Sequence, residues 1–64
     1  MAFKNNLKRL REKEGLSQAQ LADRIGVSQA AISYFESGEA MPRPMTLKVV
    51  ADYFHVSVKE LTKE

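Results

Sequence analysis

The chain has 64 residues, 44% hydrophobic and 28% charged, which suits one compact domain and leaves no room for a second. A net charge of +2 does not by itself announce a polyanionic partner. With no cysteine, disulfides and thiolate metal sites are excluded as supports, so stability must come from tight helix packing or self-association.

The charge is unevenly spread, and residues 1–16 carry five bases (Lys4, Lys8, Arg9, Arg11, Lys13) against Glu12 and Glu14. Phe3, Leu7 and Leu10 recur there at helical spacing and Gly15 follows, so a basic helix is expected over 4–14. On charge alone its bases read as a solvated face. Ser17 with Gln20 has the spacing of a capping box and opens a second helix, 18–25, with Leu21, Ala22 and Ile25 apolar and Gly26 at its end. Ser28 can cap a third helix, 29–37, in which Ile32 and Phe35 recur and after which Gly38 stands. Pro44 suits the first turn of a fourth, 44–54, carrying Leu47, Val50, Ala51 and Phe54. Ser57 with Glu60 repeats the capping box before a short fifth helix, 58–63. No segment sustains strand alternation, so the expectation is an all-α, compact five-helix domain over residues 1–64. Nothing reaches the ~18 apolar residues of a membrane span or the apolar run of a secretory leader, so a cytoplasmic protein with no membrane partner is expected.

Only Gly26, Val27 and Ser28 separate the second and third helices. That connection is too short for antiparallel packing and suits a roughly perpendicular helix-turn-helix. Such a corner needs a small residue where the helices cross, met by Ala22, and a residue tolerant of positive φ, met by Gly26. It also needs Leu21, Ile25, Val27, Ile32 and Phe35 inward.

With these residues in place, the stretch 16–38 resembles the phage-repressor and Cro-type helix-turn-helix family, also called the xenobiotic-response-element type. The resemblance extends over nearly the whole chain. The basic helix before Gly15 is similar to the family's first helix, and Thr46 and Leu47 through Phe54, His55, Val56 and Ser57 to its fourth helix and the turn into its fifth. It implies a lambda-repressor-like domain of bacterial or phage origin, associated with the nucleoid. The function implied is that of a sequence-specific double-stranded-DNA-binding transcriptional regulator, in the first place a repressor, with helix 29–37 in the major groove. The chain departs from the family where members often carry lysine and further bases after the glycine that closes the third helix. Here Glu39, Ala40, Met41 and Pro42 precede Arg43, which weakens the expected phosphate clamp and shifts weight to a homodimer, assembled in solution or only on the operator.

With Ile32 and Phe35 inward, the outward face of the third helix is Gln29, Ala30, Ser33, Tyr34 and Ser37. Gln29 can both donate to and accept from adenine, Ala30 can offer a methyl to thymine, and Ser33 permits close approach. Tyr34 either reaches a base or phosphate or serves as a partly buried spacer. Phosphate contacts are expected from Ser17 and Gln18 at the positive end of the second helix, from Ser28 and Ser37, and from Arg43 in the following loop. Gln18 resembles the family's phosphate-contacting glutamine. The resemblance also pairs Arg11 with Glu36, tying the first helix to the third in a chiefly structural ion pair. Dimer contacts are expected from Met41, Pro42, Val58 and Leu61, although Val58 and Leu61 share a face that could instead close the core.

No catalytic set, cofactor motif or metal site is expected: His55, the single histidine, reads as a turn residue, and Ser17, Ser28 and Ser57 have capping roles. With no ligand domain after Glu64, no small-molecule effector is expected, and switching would depend on protein level, proteolysis or a partner. The competing reading is a protein–protein interaction module or antitoxin-type partner on the same scaffold. A small, polar outward face on the third helix favours the groove reader.

Overall fold

A computed structural model describes residues 2–64, among which run five helices: α1 (Phe3–Lys13), α2 (Gln18–Ile25), α3 (Gln29–Ser37), α4 (Pro44–Phe54) and α5 (Val58–Thr62). Three of the five starts are serine caps. Ser17 Oγ accepts the Gln20 N–H at 3.0 Å while Gln20 Oε1 accepts the Ser17 N–H at 2.8 Å, and Ser57 and Glu60 form the second reciprocal box. Ser28 Oγ accepts the Ala31 N–H at 3.1 Å. Each supplies an acceptor to an amide that has no partner within its own helix, worth about 1 kcal/mol. Pro44 opens α4, where its missing N–H costs nothing.

Between α2 and α3 the Gly26 N–H makes the last helical bond, to the Ala22 carbonyl at 2.9 Å, and the Gly26 φ of +76° then turns the chain. The Val27 N–H reaches the same oxygen at 3.0 Å, and α3 begins two residues later. That left-handed closure is what makes the corner sharp. A second corner of the same design joins α4 to α5. His55 takes φ +58°, the Val56 N–H bonds the Ala51 carbonyl at 3.0 Å, and Ser57 caps the next helix.

All five helices contribute to one core: Phe3 and Leu7 from α1, Leu21, Ala22 and Ile25 from α2, Ile32 and Phe35 from α3, Val50 and Ala51 from α4, and Leu61 from α5, with Leu16 entering from the first loop. Full burial of each larger side chain contributes roughly 1.5–3 kcal/mol. α3 lies against α1 and α2, and α5 against α1 and α4. The Phe3 ring meets Phe35 edge-on, with centroids 6.1 Å apart.

Two expected dimer contacts are corrected by this packing. Leu61 is 0% exposed, because the five-residue α5 packs by driving this apolar anchor into the core. Pro42 is buried within the protomer as well. Neither can meet a second copy, whereas Met41 and Val58 remain exposed. α5 is held further by Asn6 of α1, whose Nδ2 donates to the carbonyls of Leu61 at 2.9 Å and Lys63 at 2.7 Å. No helix among the described residues is long and apolar enough to cross a membrane.

Candidate nucleic-acid interface

α3 divides cleanly into two faces. Ile32 and Phe35 are buried, while Gln29, Ala30, Ser33, Tyr34 and Ser37 are all exposed. Tyr34 is 51% exposed, so its ring stands on the outward side of the helix with the other four residues. The face is therefore short side chains with one amide at its start and one phenol near its middle, so that a flat surface could approach its backbone closely.

The serines differ in what they still have to give. Ser17 and Ser28 accept amide hydrogens through Oγ as caps, which leaves each hydroxyl proton available for an oxygen outside the protein. Ser37 is committed on both sides, donating to the Tyr34 carbonyl at 3.1 Å and accepting from the Glu39 N–H at 3.3 Å. A donor contact from Ser37 would have to break the first of these bonds. Arg43 is exposed and is the N-cap residue of α4, with no capping hydrogen bond from its side chain.

Beneath α3 lies the ion pair. Arg11 Nε donates to Glu36 Oε2 at 2.7 Å and Nη2 donates to Oε1 at 3.0 Å, a bidentate fork. Arg11 Nη1 donates in addition to the Leu16 carbonyl at 2.8 Å. The side chains are only 11% and 5% exposed. The bond to Glu36 holds the Arg11 guanidinium above its ordinary pKa, against the opposing pull of burial. Glu36 accepts a third bond, from Gln18 Nε2 at 3.1 Å, so one carboxylate joins α1, α2 and α3.

Sequence reasoning treated Gln18 and the Arg11–Glu36 pair separately, and nothing in their spacing links them. Lys4 is exposed, as expected of a solvated base, and its stem lies across Gly38 at the end of α3. A Cβ at Gly38, where φ is +85°, would come within 3.1 Å of Lys4 Cδ. Among the described residues, no group of three or more His, Cys, Asp or Glu side chains could hold a metal ion.

A helix-turn-helix family model matches residues 7–61, and the chain belongs to this family, the Cro/C1 type of DNA-binding transcription regulator. The HTH-type transcriptional activator BcrR of Enterococcus faecalis is 41% identical over 95% of this chain and 30% of its own length. The cryptic phage CTXphi transcriptional repressor RstR of Vibrio cholerae is 38% identical over 95% of this chain and 54% of its own. Among solved structures, a transcriptional regulator from Listeria innocua superposes with a TM-score of 0.86 at 39% identity, covering 92% of this chain and 55% of that one. The SOS-response transcriptional repressor LexA from Eubacterium rectale superposes at 0.91 with 31% identity, covering 97% and 66%. The chain thus spans between about a third and two thirds of the lengths of these proteins.

Proposed function

We propose that the protein binds double-stranded DNA in a sequence-specific manner and regulates transcription, in the first place by repression, with α3 in the major groove. The observation that carries this reading is the division of α3 into a buried apolar face and a wholly exposed face of Gln29, Ala30, Ser33, Tyr34 and Ser37. Gln29 reads a base edge through its amide, Ala30 and Ser33 allow the helix backbone close to the bases, and Tyr34 reaches a base or the adjoining backbone. Ser17, Gln18 and Ser28 supply neutral phosphate contacts and Arg43 a charged one, with Ser37 joining them only at the expense of its bond to Tyr34. Repression follows from occupancy alone, because a protein seated on a promoter excludes other proteins from it.

The operator-bound unit in this reading is a homodimer, since one sparsely basic reader gains affinity and specificity from two linked half-sites. Met41 and Val58 are the remaining candidates for its contacts. Met45, 80% exposed on α4, and Val49 one turn later favour a protein contact on that helix as well, which leaves α3 to the DNA.

The test is selection of binding sites from random duplexes, followed by affinity measurements across salt. Gln29→Ala is expected to relax the preference at one base pair per half-site by about 1–3 kcal/mol. Arg43→Ala should weaken all duplexes alike and reduce the log–log salt slope by about 0.9 per protomer. Two protomers per palindrome, with tighter binding than to a half-site, are expected in the same titrations. No duplex binding at low salt would overturn the reading.

A further inference from the structure

We infer that Glu36, through the bidentate fork from Arg11, is a positioning residue for DNA binding that fixes the Gln18 amide in the orientation that meets a phosphate. The inference rests on the DNA-binding reading and concerns how its clamp is built. Three facts carry it. Glu36 is 5% exposed, so it cannot itself be a surface contact. Its Oε1 accepts from both Arg11 Nη2 at 3.0 Å and Gln18 Nε2 at 3.1 Å. Gln18 is the first residue of α2, immediately after the Ser17 cap, and its side chain is only partly buried.

The chemistry of a primary amide does the rest. Nε2 carries two N–H groups set about 120° apart in one plane, and the bond to Glu36 uses one of them. Pinning the first N–H fixes the amide plane and so the direction of the second. An unpinned glutamine turns about its last torsion and presents either oxygen or nitrogen, and the oxygen repels a phosphate. Ordering that rotor on binding costs affinity, and a side chain already ordered in the unbound protein avoids the cost.

Arg11 has a part in this beyond packing. A bare carboxylate so near the clamp would oppose an approaching phosphate, whereas the bidentate guanidinium neutralises it and leaves the hydrogen-bonding geometry intact. The fold-stabilising pair and the DNA clamp therefore share one carboxylate, and α1, which makes no base contact in this reading, helps set the affinity of α2.

The test is a binding cycle on a selected duplex with four proteins: wild type, Gln18→Ala, the charge-free double variant Arg11→Met/Glu36→Leu, and the triple combination. In the wild-type background Gln18→Ala is expected to lower affinity about 3- to 10-fold, the worth of one ordered side chain. The salt slope should stay unchanged, because a neutral amide displaces no counterion. In the charge-free background the same substitution should cost less than about 2-fold. Equal losses in the two backgrounds would overturn the inference while leaving DNA binding intact; absence of duplex binding by the wild type would remove the functional reading itself. If the double variant does not fold, side-chain amide 15N relaxation of the free wild-type protein decides the matter. An ordered Gln18 amide before DNA is added is the expected result, and a mobile one overturns the inference.

Discussion

The molecule turns the same corner twice. Leu21, Ala22, Asp23, Gly26, Val27, Ser28 and Ile32 of the α2–α3 corner correspond in order and spacing to Val50, Ala51, Asp52, His55, Val56, Ser57 and Leu61 of the α4–α5 corner. In each, the alanine is buried where the helices cross, the next-to-last turn residue is a valine, a serine caps the second helix and a fully buried aliphatic residue anchors it. Yet the candidate nucleic-acid interface lies on the first corner. Its second helix runs nine residues and offers short polar side chains outward, whereas α5 runs five and is held to α1 by its anchor and by Asn6. One backbone device thus serves two ends: at α2–α3 it projects a helix outward, and at α4–α5 it folds a helix back to close the core. What separates them is the length of the second helix and what its exposed face presents.

The comparison is sharpened most by cutting the two anchors. Ile32→Ala and Leu61→Ala should each cost about 2–5 kcal/mol in urea denaturation, because each deletes a side chain with no exposed surface. A loss at Leu61 below about 1 kcal/mol would show that α5 does not close the core.

The next contrast is the ion pair, which braces α3 and has no counterpart in α5 among the described residues. Glu36→Leu alone should cost about 3 kcal/mol by leaving the Arg11 charge nearly buried and unpaired, and Arg11→Met added to it should recover much of the loss. Additive losses in the double-mutant cycle would mean that the residues do not act as a pair. The Arg11 guanidinium should not make stability depend on pH in any ordinary range. A base whose pKa is raised on folding contributes fully below its unfolded value and loses that contribution only as pH climbs through the folded one, here above the usual guanidinium value.

The smallest effects concern the left-handed residue of each corner. Gly26→Ala should cost about 1–2 kcal/mol, wholly conformational, since a Cβ there would meet nothing within 4 Å. His55→Gly should stabilise by about 0.5 kcal/mol, the relief of the left-handed φ being partly offset by the greater freedom of glycine in the unfolded chain. Thermal melting should show a rise of about 2–4 °C. A fall in its place would mean that the imidazole makes a stabilising contact that outweighs the strain.

The helices were legible in the sequence because their signals are local: a serine three residues before its partner, a glycine after the last apolar position and apolar spacing near 3.6 are all written within one or two turns of the chain. Hence α2, α3 and α4 fall at the expected residues, with α1 and α5 differing by one at their ends. The outward face of α3 was legible for the same reason, since placing Ile32 and Phe35 inward fixes what points away. Tertiary structure alone decided what depends on residues distant along the chain. Whether Leu61 and Pro42 lie inside or outside turns on the space left by the other helices, and the helical pattern of so short a segment cannot say. Asn6 meets the end of α5, and the Lys4 stem crosses Gly38, only because α1 runs beside both. Gln18 joins Glu36 for a like reason: hydrogen bonding acts over about 3 Å, and that proximity between the start of α2 and the last turn of α3 exists only once the corner between them has closed.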